Sequence, residues 1–441
     1  MKIKNNYKKV ASHEAHKGEF DTCLLLYSGG LDTSVMLKWI KEQYDCEIIA
    51  LLIDNGQQAD NLNELKQKAL DLGAKDAVVY DAKDEFADSI LSMAIKANMD
   101  YQGGYANGCP LGRVTIAKVA VKMAEIYNCQ VIAHGCTGKG NDQVRLEGYI
   151  TTLNPKLKII APVREWSMGR NEEIAYAKKH SIPVSQTNKS PYSYDENMWS
   201  NTAEGGEIEK PELIPSLEKI LKWCQLPQKA PDKEELIEII FNKGAPVALN
   251  GEKKKLSEII IDLNQLGGKH GVGIIHLIEG RIVGLKVRGI YENPAASIII
   301  AAHKKLEQLV STREENELKE LIDTKFAYLT YGAKWFEPVM YHIKAYMNSQ
   351  NKKVTGTVKI KLYKGNITVV ALNSPYSLFD YNLATFNKDY TFNQNSSAGF
   401  IEIYNLAQQN AYNLVDYESQ DAGIKKDSES KYFYSDDMKI L

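Results

Sequence analysis

Ser28-Gly29-Gly30-Leu31-Asp32-Thr33-Ser34 leaves this chain little freedom in how its first third can fold. Ahead of it runs an apolar stretch, Leu24-Leu25-Leu26-Tyr27, that reads as a buried strand. Behind it, Val35, Met36, Leu37, Trp39 and Ile40 are spaced to cover one face of a helix. Strand, glycine turn and helix together aim several backbone N–H groups at one point. A helix N-terminus there attracts an anion by about 0.3–1 kcal/mol per charge. Ser28, Thr33 and Ser34 add hydroxyl donors. The segment is expected to cradle a pyrophosphate, with a plain strand-to-helix turn as the alternative.

It is not a Walker A loop, which needs a Lys before its final Ser or Thr; here Asp32 occupies the turn. The pattern resembles the PP-loop of enzymes that split ATP between the α- and β-phosphates. The rest of the first third fits such a domain. Glu47 to Asp54, Ala77 to Tyr80, Gln130 to His134 and Lys158 to Ala161 read as further strands. Leu62 to Leu72, Ala87 to Ala94 and Ile116 to Ile126 carry helical spacing between them. Repeated βα units imply a parallel sheet with helices on both faces and ligands at the strands' carboxyl ends.

A chain of 441 residues exceeds what one core usually supports, so two domains are expected. After Pro183 the pattern changes. Ser185 to Pro211 is polar and reads as a loop or linker. Beyond it come strands at 237–241 and 247–249, a helix at 256–266, a hairpin around Glu279-Gly280, and helices at 295–309 and 315–329. Val358, Ile360 and Leu362 alternate with polar residues before a Lys364-Gly365-Asn366 turn, which marks a hairpin. The fold class is thus α/β, a parallel-sheet nucleotide-binding domain followed by an α+β domain. The expected divisions are an N-terminal extension over 1–20, the nucleotide-binding domain over 21–184, the second domain over 185–415, and a poorly ordered polar tail over 416–441.

The formal net charge of −2 argues against nucleic acid or an anionic membrane as partner. No apolar stretch is long enough to span a bilayer, and the first nineteen residues lack the apolar core of a signal peptide. The six cysteines form no CxxC pair, which fits a reducing cytoplasm and argues against tRNA-modifying relatives that often carry such pairs.

A second segment, His134-Gly135-Cys136-Thr137-Gly138-Lys139-Gly140-Asn141-Asp142-Gln143-Val144-Arg145, lies just past a strand. Its glycines permit close approach to a ligand, Lys139 and Arg145 can neutralise carboxylates or phosphates, and Asn141 and Asp142 can orient an amine. The alternative is a solvated polar loop. With this segment in view, the chain resembles the argininosuccinate synthase family from about Leu24 to Tyr412. Besides the two glycine loops, the resemblance rests on Ser193-Tyr194-Asp195-Glu196-Asn197, Glu204-Gly205-Gly206, Gly268 to Gly273, Glu279, Arg281, Arg288 to Glu292, Val354 to Thr357 and Ser374 to Leu378.

The resemblance implies ATP-dependent ligation of citrulline and aspartate to argininosuccinate through a citrullyl-AMP intermediate, with release of AMP and pyrophosphate. Mg²⁺ would accompany the nucleotide, with no dedicated side-chain metal site. Leu26, Tyr27, Ser28, Gly29, Gly30, Leu31, Asp32, Thr33, Ser34, Ile53, Gly135 and Lys139 would bind ATP. Thr137, Asn141 and Asp142 would hold aspartate; Tyr105, Asn141, Arg145, Ser193, Thr202, Glu279 and Tyr291 would hold citrulline. Tyr105, Ser193 and Tyr291 each have an ordinary turn or packing role as the alternative, and Glu279 reads locally as a hairpin tip. No catalytic side chain beyond these positioning groups is implied. A homotetramer in the cytoplasm, serving arginine biosynthesis, goes with the family.

One segment departs from the family pattern. Gly108-Cys109-Pro110 stands where Gly-Thr-Ser is usual, so hydroxyl donors are missing and Pro110 lacks an N–H. Cys109 reads as a hydroxyl substitute, a packing residue or a reactive thiol. His276, in place of a common Asp, reads as a strand-surface residue. The alternative function is a related PP-loop ligase that joins aspartate to a different ureido or amide acceptor.

Overall fold

In the computed structural model, β1 (Thr22–Leu26), β2 (Glu47–Asp54), β3 (Asp76–Asp81), β4 (Val131–Ala133) and β5 (Lys158–Ile160) form a parallel sheet in the order β3-β2-β1-β4-β5. The structure describes residues 7–58, 61–166, 168–183, 191–384 and 392–414, so the expected tail over 416–441 lies outside the described residues. Two compact units are separable, Met1–Leu378 and Phe379–Leu441. The second shows the helices Tyr381–Ala384 and Ser396–Leu414.

Successive strand residues point to opposite faces, and each face meets its own core. Leu24, Ile49, Leu51, Ile132 and Ile159 join one; Cys23, Leu25, Ile48, Ala50, Val131 and Ile160 join the other. Covering both faces is what a parallel sheet requires, and each fully buried Leu or Ile contributes about 1.5–3 kcal/mol. The residues ahead of β1 close the edge beyond β5. The Ala15 N–H donates to the Ile159 carbonyl (3.0 Å) and the Ile159 N–H to that of His13 (2.8 Å).

Nine further strands follow among the described residues: β6 (Tyr192–Asn197), β7 (Ser200–Gly205), β8 (Glu235–Asn242), β9 (Ala245–Leu249), β10 (Glu252–Lys253), β11 (Ile274–Gly280), β12 (Lys286–Glu292), β13 (Gly356–Tyr363) and β14 (Asn366–Asn373). They build two antiparallel sheets, β10-β9-β8-β13-β14 and β11-β12-β7-β6. Val358, Ile360 and Leu362 are fully buried on β13, as their alternation predicts. Lys364 and Gly365 take the positive φ of a two-residue hairpin turn.

Three expectations shift. The polar stretch from Ser185 holds the β6–β7 hairpin over 192–205, not a loop; 184–190 lie outside the described residues. Its polar residues line a cavity, so the apolar alternation that marks a strand is missing. The β11–β12 turn is at 281–285, where the Arg281 N–H donates to Leu285 (2.7 Å); Glu279 is inside the ladder opposite Val287. The helix expected from Ile116 begins at Gly108. Pro110 therefore sits in its first turn, where an N–H has no intrahelical acceptor and its loss costs the helix little.

Glu292 ties the sheets to the chain's middle. Its buried carboxylate accepts from Asn201 Nδ2 (2.7 Å) and from the backbone N–H groups of Lys222 (3.1 Å), Trp223 (2.7 Å) and Cys224 (2.7 Å). Glu292→Ala would strand these donors. It is expected to lower unfolding free energy by about 3–5 kcal/mol in urea titration, with Glu292→Gln falling between it and the parent.

Candidate active site

The sheet order reverses at β1 and β4, which lie side by side, so the loops leaving their carboxyl ends open into one crevice. After β1, Gly29 takes φ +78°, and a Cβ there would meet Leu65 Cδ2 at 2.5 Å. The Lys68 ammonium donates to the Gly29 carbonyl (2.7 Å), which fixes this peptide. Gly30 then begins the helix Leu31–Tyr44 without a side-chain cap. The first-turn N–H groups there have no intrahelical acceptors, the arrangement that suits an anion, with Ser28 Oγ and Thr33 Oγ1 3.2 Å apart beside them. Ser34 is fully buried and its hydroxyl pairs with that of Tyr27 (3.1 Å), so these two hydroxyls stiffen the turn. After β4, Gly135 faces Met36, whose Cε would lie 2.6 Å from a Cβ. Thr137 and Lys139 are exposed, with a turn closed by the Gly140 N–H on Thr137 O (3.2 Å).

Two cavities meet at this crevice. One, of about 320 Å³, has Leu26, Leu51, Ile53, Leu62, Leu65 and Ile116 in its wall. The other, of about 700 Å³, is polar. Ser28, Arg113, Gly135 and Cys136 line both. The polar cavity brings together Asp32, Thr33, Thr137, Asn141 and Asp142 with Tyr105, Arg145, Ser193, Thr202, Glu279 and Tyr291. These residues lie up to about 260 positions apart in sequence. Among the described residues no group of three His, Cys, Asp or Glu side chains could hold a metal ion, and no helix is long and apolar enough to cross a membrane.

Buried charges in the polar cavity are paired. Burial pushes the Asp142 carboxyl up, but Arg113 (2.7 Å) and Arg145 (2.9 Å) hold it down to about 2. Arg113 also bonds Asp195. Deeper, burial pushes the Glu147 carboxyl up, while His134 (3.2 Å) and Arg164 (2.5 Å) bring it to about 2; this braces the residue just before Gly135. Glu279 behaves differently. Burial raises its carboxyl above the usual range, only partly offset by a Tyr331 hydrogen bond and Arg145, and its Oε2 has no partner among the described residues. A buried, half-satisfied carboxyl is prepared for a ligand donor.

Cys109 is buried, with its Sγ 3.4 Å from Thr202 Oγ1 and its N–H donating to Tyr105 Oη (3.3 Å). Burial and the Asp195 charge push its thiol well up, so it is a neutral thiol and not a reactive thiolate. Gly108 beside it has no room for a side chain, since a Cβ would lie 1.9 Å from Ser200 Oγ. His276 is an exposed strand residue whose Nε2 accepts from Arg288 (2.8 Å). Tyr331, the last residue of the helix Arg313–Tyr331, lines the polar cavity and escaped the sequence reading. It lies two residues past the helix expected over 315–329, and a Tyr closing an amphipathic helix reads as core.

Comparison with known proteins follows the same lines. The family model described as the arginosuccinate synthase N-terminal HUP domain matches residues 22–183, and that for the C-terminal domain matches 192–411. The chain is 44% identical over 384 residues to the argininosuccinate synthase of Symbiobacterium thermophilum, covering 87% of this chain and 96% of that one. It is 46% identical over 388 residues to that of Dictyoglomus turgidum, at 88% and 96% coverage. It is 43% identical over 389 residues to that of Clostridium perfringens, also at 88% and 96%.

A titrating carboxyl lies beside the first turn of the helix Leu31–Tyr44. Glu173, on the helix Arg170–Lys179, hydrogen-bonds Asp32; burial first, then that carboxylate, push Glu173 up to about 8. Its folded value exceeds its unfolded one, so the folded state holds the extra proton between them. The stabilisation is complete below the ordinary glutamate range and is lost as pH rises through about 8. Above that, a second negative charge lies beside that turn. The KM for ATP is expected to rise from about pH 7 to about pH 9, and to stay flat in Glu173→Gln, as initial rates at varied ATP would read.

Proposed function

The chain belongs to the argininosuccinate synthase family, and we propose that it carries out the family's ATP-dependent ligation of citrulline and aspartate in two steps, adenylation and then displacement. In the first, the ureido oxygen of citrulline attacks the α-phosphorus of ATP. An oxygen–phosphorus bond forms, the α–β bridge breaks, and pyrophosphate departs. In the second, the amine of aspartate attacks the activated carbon, loses a proton, and AMP leaves with the former ureido oxygen.

The observation that carries this reading is the junction of an apolar and a polar cavity at two glycine loops from neighbouring strands. Leu26 and Ile53 would pack against adenine, with Tyr27 and Ser34 bracing the turn. Ser28 to Thr33 would hold the departing phosphates at the helix N-terminus, and Gly135 and Lys139 would close the nucleotide's other side. Mg²⁺ would be held mainly by the phosphates; when bound, it neutralises phosphate charge. Thr137, Asn141 and Asp142 would orient aspartate. Tyr105, Asn141, Arg145, Ser193, Thr202, Glu279 and Tyr291 would orient citrulline. The protein's contribution is positioning and charge stabilisation, which suffices once the oxygen is converted to a good leaving group.

The residues over 21–184 and 185–415 would act as nucleotide-binding and synthetase domains of a cytoplasmic homotetramer in arginine biosynthesis. One observation favours a changed acceptor as a second reading. Cys109 places a weakly donating thiol against Thr202, where a hydroxyl is usual in the family.

Both readings meet one experiment, pyrophosphate release from ATP and Mg²⁺ with citrulline and aspartate omitted in turn and the product weighed by mass spectrometry. Release that needs citrulline, with argininosuccinate formed once aspartate is present, is the expected result. Cys109→Thr is expected to raise kcat/KM for citrulline by about threefold to tenfold. Absence of citrulline-dependent release from folded, ATP-binding protein would favour the other acceptor.

A further inference from the structure

Tyr331 meets the polar cavity from the end of a helix far along the chain from either glycine loop. Its hydroxyl accepts from Asn141 Nδ2 (2.9 Å) and hydrogen-bonds the buried Glu279 carboxylate. Its carbonyl, one of those a helix end leaves without an intrahelical donor, accepts from Arg145 Nε (3.2 Å) and Nη2 (3.0 Å). The Arg145 guanidinium also lies over its ring, 4.9 Å from the centroid. The ring stacks on Tyr101 at 4.0 Å and 6° between planes. Tyr101 in turn exchanges backbone hydrogen bonds with Tyr105 (2.9 and 3.3 Å) across a tight glycine loop, and Tyr105 packs on Tyr291 with centroids 4.4 Å apart.

Hydroxyl, ring and carbonyl each carry their own contacts, so the three sets do not compete with one another. Hydroxyl, ring and carbonyl reach side chains from the helix end at Asn141, the helix Asp142–Leu153, strand β11 and the loop before Gly108. We infer that Tyr331 is a positioning residue for the acceptor side of the site, holding Asn141, Arg145, Glu279 and the Tyr105 loop in one arrangement. This rests on the reading of the polar cavity as the citrulline and aspartate site. Tyr331 need not touch either substrate for this role, because the groups it holds would do so. A buried network with fixed partners keeps such groups near the productive geometry before substrate arrives.

The test is Tyr331→Phe in the full chain, with each substrate varied in turn. Ring and carbonyl stay, so the stack and the Arg145 contact survive and only the hydroxyl is lost. The KM for citrulline and for aspartate is expected to rise about tenfold each, with that for ATP unchanged within about twofold. The low-pH limb of kcat/KM for citrulline is expected to move to higher pH. The lost hydroxyl favours the charged form of Glu279, while Arg145, Arg281, Glu204 and Tyr291 around it are unchanged. Tyr331→Leu, which removes the stack as well, is expected to raise the citrulline KM further. Lower thermal stability with unchanged KM values, or an equal rise in KM for ATP, would overturn the inference. Glu279→Gln and Asn141→Ala separate the two levels. If they raise the citrulline and aspartate KM values and Tyr331→Phe does not, the role of Tyr331 fails alone; if none of the three does, the reading of the cavity fails with it.

Discussion

The adjacency of β1 and β4 governs this structure. The sheet grows from β1 through β2 to β3, then the chain crosses back and lays β4 on the other side of β1. No helix can cover both neighbouring strand ends at such a reversal, so a crevice is left open. Both glycine loops leave from these two ends. The placement of the first glycine turn, of the two cavities that meet there, and of the helix N-termini that open onto them follows from that one crossover.

Burial makes the polar cavity expensive, and pairing offsets the expense. Arg113, Asp142, Arg145 and Asp195 would each be costly alone in a partly dry interior. Linked to Arg113 and Arg145, Asp142 remains a carboxylate despite its burial. Glu147 does the same between His134 and Arg164 one layer below. Glu279 and Glu173 depart from that pattern: both sit above the ordinary glutamate range, one with an oxygen that has no partner among the described residues and one against Asp32. The two ends of the site thus differ in character, with settled ion pairs in the middle and unsettled carboxyls where ligands would arrive.

The glycine segments were legible because local sequence suffices for them. A strand, a glycine needing positive φ and a helix start are properties of about a dozen consecutive residues, and Gly29 fulfils its part at φ +78°. The β6–β7 hairpin was not legible, because Ser193, Asp195 and Glu196 line cavities where a core-facing strand would carry apolar residues. Glu279 looked like a turn residue for a related reason. A register set by pairing with Val287 placed it inside the ladder, and pairing partners are not visible along one strand.

By itself, the sequence determined the α/β class of the first third, the two loops, and the family to which the chain belongs. These are local patterns and motif spacings. Only the tertiary structure decided that Pro110 falls harmlessly in a helix's first turn, that the Cys109 thiol is neutral and turned to Thr202, and that Tyr331 joins Asn141, Arg145 and Glu279. Those facts depend on which surfaces meet across long chain separations. Burial and pairing at such meetings set both charge state and side-chain direction, and neither is encoded in the spacing of residues along the chain.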